Sequence, residues 1–193
     1  RRAKARSRCL QDQSRPRMRA ELILDVPEAW PQFSADDLTT LTDRAVATAF
    51  HVGLESAGFD HWEAESAVSV AFLDDRRLAR LNEDFRDKPQ PTNVLSWPNY
   101  EGEDPEEIME QGQDDGPSVY WGDLALAGET LAREAFEQEK TLDAHLSHLI
   151  IHGVLHLLGF DHIEDKQAEL MEGLERLAMR DLGYPDPYGE SAE

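Results

Sequence analysis

The stretch that most constrains this chain is LDAHLSHLIIHGVLHLLGFDHIED, residues 142–165, which holds five of its seven histidines. Its apolar residues run almost without a break, so it belongs in a core, and its length and composition read as a helix. Gly159 allows that helix to end on a left-handed residue. His152 and His156 lie four residues apart, which stacks two imidazoles on one helix face with their nitrogens able to converge on one ion. The chain then turns, and His162 follows six residues after His156, bringing a third ring from another direction. Three protein ligands leave a tetrahedral ion one open position, which suits catalysis better than a closed structural site. The competing reading is a helix that is merely rich in histidine. The two spacings, with Gly153 after the first ligand and Gly159 after the second, favour the metal. One Zn²⁺ per chain is the expected ion, since it is borderline-soft and content with four ligands; nickel or another transition metal stays open.

Neighbours of the three histidines have less determined roles. His148 sits one turn before His152 and is either an outer hydrogen-bond donor, a cleft residue or a packed polar side chain. Asp161 either orients a ring, as outer carboxylates do around metals, or fixes the turn. The pattern HGVLHLLGFDH has the spacing of the metzincin metallopeptidases, but position 153 is glycine where those enzymes carry the glutamate that takes a proton from water. Peptide hydrolysis by that route is closed. A metal paired with an arginine fits phosphoryl chemistry better, because guanidinium groups bind non-bridging phosphate oxygens well.

Charge narrows the position of that arginine. The 193 residues carry 40 acids against 19 Lys and Arg, a net of −21, which argues against broad non-specific nucleic-acid binding. The total hides three unlike parts. Residues 1–17 hold seven bases and one acid with no apolar period or export core; they read as a disordered basic arm, an RNA-touching arm, or residues outside a native chain that begins at Met18. Residues 99–117 hold eight acids and no base, and read as a solvated loop. Residues 74–88 balance five bases with five acids, and Arg86 falls where their helix gives way to DKPQP. In so acidic a chain this island repels an anionic ligand least. A lone Cys9 excludes a disulfide framework, and no apolar run is long enough for a membrane span. The expected compartment is the cytoplasm.

Periodicity orders the elements as β-α-β-α-β-β-α-α-α. Strands are expected over 20–26, 67–73, 92–97 and 119–127, and helices over 34–57, 74–86, 129–139, 142–158 and 164–182. The second helix carries an apolar stripe of Leu78, Leu81 and Phe85. Trp97 reads either as strand packing or as a stacking surface for a base. The fold class is α+β, a small mixed sheet packed against helices, in one metal-binding domain over 18–184 with a flexible tail over 185–193.

These motifs resemble the YbeY family of bacterial metal-dependent endoribonucleases. The likeness rests on HGVLHLLGFDH followed by IED, on LNEDFRDKPQPTNVLSWP (with Trp97 where phenylalanine is usual), on Gly122-Asp123-Leu124, and on LGYPDPY near the end. It covers about residues 20–188. The resemblance implies zinc on His152, His156 and His162, a zincin-like helix beneath the sheet, and Arg86 beside the metal as a catalytic residue. It implies single-stranded ribosomal RNA as substrate, in 16S 3′-end maturation and ribosome quality control. A ribosomal protein or ribosome-associated GTPase is the implied partner type. Asn93, Ser96, Asp123, Asp161 and His148 are further candidates for substrate contact or outer support. Asp161, Asp123 and His148 also stand as weak candidates for a general base. Two rival readings remain: a non-catalytic ribosome-associated factor stabilised by zinc, and a metallopeptidase.

Overall fold

Strand β2 (Glu65–Leu73) reads ESAVSVAFL, and its apolar run is that of a strand covered on both faces. It lies between β1 (Met18–Leu24) and β4 (Ser118–Ala127), parallel to both, and β3 (Val94–Pro98) pairs antiparallel on the far side of β4. The sheet order is therefore β1-β2-β4-β3, mixed as expected. Val70 stands between Leu22 and Leu124 in register, and Leu95 faces Ala125. Pro98 has no N–H to offer a further strand, so it suits the end of an edge strand. The computed structural model describes residues 18–24, 27–59, 65–88, 90, 92–100, 108 and 118–189. The basic arm 1–17, most of the acidic stretch 99–117 and residues 190–193 lie outside the described residues.

Five helices are described: α1 (Ala35–Ser56), α2 (Asp75–Arg86), α3 (Gly128–Glu137), α4 (Leu142–Leu157) and α5 (Asp165–Leu182). With a single 3-10 turn at Pro27–Ala29, they give the expected α+β element order. Their starts follow from capping chemistry. Ser34 Oγ accepts from Asp37 N at 3.1 Å while the Asp37 carboxylate accepts from Ser34 N at 3.2 Å, a capping box that satisfies two end donors. Asp74 Oδ1 caps α2 by accepting from Arg77 N at 2.7 Å. Asp87 ends α2 in a left-handed conformation with φ +54°, so the chain leaves the helix sharply just after Arg86.

Alternation along β4 separates two cores. Leu124 and Leu126 belong to the main cluster with Val68, Val70, Phe50 and Ile150, under α1 and α4. Ala125 and Ala127 turn the other way and meet Leu73, Leu78 and Leu95 under α2. Helix α4 is buried on nearly every side, as its continuous apolar sequence demands. Its approach to the sheet depends on Gly153. A Cβ there would stand 2.7 Å from Leu124 Cδ2, and Leu124 is itself fully buried. Among the described residues, no helix is long and apolar enough to cross a membrane.

Candidate metal centre and cleft

His152 and His156 project from the last turns of α4, on the half-buried side of a stretch whose Val154, Leu155 and Leu157 are in the main core. Gly159 takes φ +87°, which an L side chain rarely adopts, and Phe160 N closes the turn on Leu155 O at 3.0 Å. That turn delivers His162. One ring nitrogen from each of His152, His156 and His162 lies within 4.8 Å of the others. The outer nitrogens of two rings are already engaged. His156 Nδ1 donates to the Phe160 carbonyl at 2.9 Å, and His152 Nδ1 donates to Glu175 Oε1 at 2.8 Å. A carbonyl only accepts, as does an ionised carboxylate, so both Nδ1 atoms hold a proton, and in the neutral ring Nε2 is then the atom that presents a lone pair. Those two Nε2 atoms stand 3.1 Å apart. Two lone pairs converging this closely suit a shared cation, and the oriented outer nitrogens are the usual support for metal-binding histidines. Burial first, and then the like charge of His152 and His162 whenever those rings are protonated, pushes His156 down to about 4, so its imidazole is neutral at pH 7. The three residues fit a metal ion.

The support beneath this set comes from residues that the sequence reading did not single out. Glu175 of α5 is 1% exposed and accepts from His152, from His148 Nε2 at 2.7 Å and from the Tyr188 hydroxyl. Burial alone would raise its carboxyl, but the bonds from His148 and His152 outweigh that and hold it at about 2. Burial and the same carboxylate push the Tyr188 phenol up, so it stays a donor. Tyr188 also packs edge-on against His148 at 5.4 Å, and the Arg176 guanidinium lies over its ring at 4.7 Å. Tyr188 falls in the segment read as tail. The signal for Glu175 was present: it occupies an apolar-stripe position of α5 among Met171, Leu174, Ala178 and Met179.

A cleft of about 800 Å³ opens over the three histidines. The end of α2 and β3 with its flanking residues also line it, with Phe85, Arg86, Asn93, Ser96, Trp97 and Tyr100. Arg86 is exposed, and one of its N–H groups points to the Ser96 carbonyl at 3.4 Å, a long contact that leaves most of its donors open. Asn93 lines the cleft while its amide donates to Glu134 Oε2 at 3.0 Å. Asp161 holds the one carboxylate among the described lining residues, and its Oδ1 accepts from His162 N at 2.7 Å, so it fixes the turn. His148 is bonded to Glu175 and is not among the residues that line the cleft. Asp123 is also outside that lining: Tyr120 donates to its Oδ1 at 2.6 Å. Gly153 faces Leu124 and the sheet.

Three converging imidazoles that share a cleft with an exposed arginine define an α+β protein with a candidate helix-borne metal site. The family model for Endoribonuclease YbeY matches residues 32–183. Among curated relatives named Endoribonuclease YbeY, that of Jannaschia sp. is 45% identical over 172 residues, 89% of this chain and 100% of the relative. That of Sinorhizobium fredii is 42% identical over 163 residues, 83% of this chain and 87% of the relative. That of Paramagnetospirillum magneticum is 40% identical over 171 residues, 88% and 96%. The chain belongs to the YbeY family of endoribonucleases, hydrolases that act on RNA phosphodiester bonds.

Proposed function

We propose that this chain is a zinc-dependent endoribonuclease that cuts single-stranded RNA during ribosomal RNA maturation in the cytoplasm, with the 16S 3′ end and ribosome quality control as its setting. One observation carries the reading: a three-histidine donor set and Arg86 line the same cleft, with one carboxylate among the described lining residues. Zinc fits the donor set, since nitrogens about 2 Å from a tetrahedral zinc stand about 3.3 Å apart, close to the 3.1 Å between two of these. When bound, the ion supplies Lewis acidity, which polarises a phosphoryl oxygen and offsets developing negative charge.

The chain's own residues do the rest. His152, His156 and His162 hold the ion, and Glu175 and the Phe160 carbonyl keep two of the rings in the binding tautomer. Arg86 binds a non-bridging oxygen of the scissile phosphate and stabilises the added charge as the pentavalent state forms. The cation and the ion together make the cleft attractive to phosphate within a chain of net charge −21. That charge also supports delivery by a partner, a ribosomal protein or a ribosome-associated GTPase. Gly153 lies against Leu124 and carries no carboxyl, which speaks against the metallopeptidase reading.

The test is incubation of purified, metal-quantified protein with single-stranded ribosomal RNA, beside Arg86→Ala and His156→Ala. Arg86→Ala should keep the metal and lose about 10²–10³-fold in rate, whereas His156→Ala should lose both metal and cleavage. A 2′,3′-cyclic phosphate end would assign attack to the ribose 2′-hydroxyl, and a 5′-phosphate with a free 3′-hydroxyl would assign it to water. Wild-type protein that binds ribosomal RNA without cutting it would sink this reading in favour of the non-catalytic factor.

A further inference from the structure

Phe85 belongs to the apolar stripe of α2, yet it does not share the fate of the other members. Leu78 is fully buried, Leu81 is half-buried, and Phe85 is 66% exposed. Phe85 returns to nearly the same azimuth as Leu78 seven residues on, but it lies in the last turn of α2, where it lines the cleft. Among the described ring pairs, its partner is Trp97 of β3, edge-on with centroids 5.7 Å apart and planes at 69°. Trp97 is in turn packed against the small core of Leu73, Leu78 and Leu95. The pair lines the cleft that holds Arg86 and the three histidines.

We infer that Phe85, braced by Trp97, is a stacking platform for one unpaired nucleobase next to the phosphate that Arg86 binds. An edge-on contact leaves at least one face of the Phe85 ring open, and a flat π-surface is what covers such a face best. Phe85 and Arg86 are consecutive on the helix, so a base and a neighbouring phosphate of one strand meet adjacent side chains. A base inside a duplex has both faces covered by its neighbours and is not available to the ring, whereas a splayed base in a single strand is. The platform therefore imposes single-strand selectivity by geometry. It also favours purines, which stack more strongly, without reading base edges. An apolar side chain of a protein partner is the competing occupant of an exposed ring; the adjacent guanidinium and metal site make the nucleotide the better match.

The inference rests on the nuclease reading, and the test separates the two. Zinc-loaded protein is titrated by fluorescence anisotropy with a short single-stranded 2′-O-methyl RNA and with copies that carry one abasic position each. One abasic position should weaken binding to the wild type by about 5- to 150-fold, the loss of one base–aromatic stack. Phe85→Ala should show a similar loss with the intact RNA and no further loss at that abasic position, while Phe85→Tyr should restore both binding and abasic sensitivity. In cleavage of the 2′-hydroxyl RNA, Phe85→Ala should raise KM. The exposed position makes the variant expected to fold, and a thermal melt checks it. Equal abasic penalties in wild type and Phe85→Ala would overturn the platform, as would unchanged RNA binding with loss of a protein contact, while leaving cleavage by the wild type, and so the nuclease reading, intact. Wild type that neither binds nor cuts RNA would overturn both.

Discussion

Replacing Glu175 with glutamine should weaken metal binding by about 10- to 100-fold while leaving the fold in place. The substitution keeps the shape of a side chain that is 1% exposed and removes only its charge. Three donors now share that carboxylate: His152 Nδ1 at 2.8 Å, His148 Nε2 at 2.7 Å and the Tyr188 hydroxyl. Glutamine offers a single acceptor oxygen, and its NH₂ must face a donor. Whichever way the amide turns, at least one partner loses its acceptor. Hydrogen bonds to charged groups contribute about 1.5–3 kcal/mol each, and neutral ones about half as much. If the NH₂ faces His152, the ring switches tautomer and its Nε2 no longer offers a lone pair. The expected affinity loss corresponds to about 1.4–2.8 kcal/mol. Competition with a chromophoric chelator measures the metal Kd, and urea unfolding of the metal-free protein checks the fold. A Kd within about twofold of wild type, with the fold intact, would refute the idea that Glu175 holds His152 in its binding tautomer.

Other consequences follow from the same contacts. Tyr188→Phe removes one donor from Glu175 and should cost about 1 kcal/mol of stability, read as a lower urea midpoint, with the three metal ligands untouched. Gly153→Ala places a methyl 2.7 Å from buried Leu124 Cδ2; overpacking of about 1–3 kcal/mol should exceed the roughly 1 kcal/mol gained in helix propensity, so Tm should fall. Glu134 is raised by desolvation, but the bonds from His145 and Asn93 outweigh this and hold it below its ordinary 4.5. A carboxyl lowered in the folded state adds stability that is complete above the unfolded value and lost as pH falls through the folded one. Urea midpoints taken from about pH 5 to about pH 3 should therefore drop more steeply for wild type than for Glu134→Gln. Removal of the metal by chelation should abolish RNA cleavage and lower Tm, both restored by added zinc.

The fold was legible because its periods are unambiguous. The run AVSVAFL announces a strand buried on two faces, SADD announces the start of α1, and Gly159 announces the end of α4. Pairing was not legible: nothing local says that β2 lies between β1 and β4, or that β3 runs antiparallel at the edge. The three histidines could be read because their spacing is a property of one helix and its turn. Glu175 could not, since its partner rings lie on another helix, although a carboxylate inside the stripe of α5 marks a buried charge that needs partners. Phe85 shows the opposite failure. Its periodicity is that of a core residue, yet it lies in the last turn of α2 and lines the cleft. Asp123 sits in a motif of the family, but strand alternation turns it from Leu124 and the metal helix toward Tyr120 and Ser69.

The two walls of the cleft also differ in how much of the chain must be assembled to make them. His152, His156 and His162 come from one helix and the turn after it, so their nitrogens can meet through contacts of short sequence separation. Arg86 and Phe85 reach the cleft only once α2 has docked on one face of the sheet, α4 on the other, and β3 has paired along the edge of β4. In kinetic terms the ion site has low contact order and the cleft has high contact order. On the reading proposed here, RNA cutting needs both walls, so a copy of the chain in which α2 and β3 have not docked holds no complete cleft.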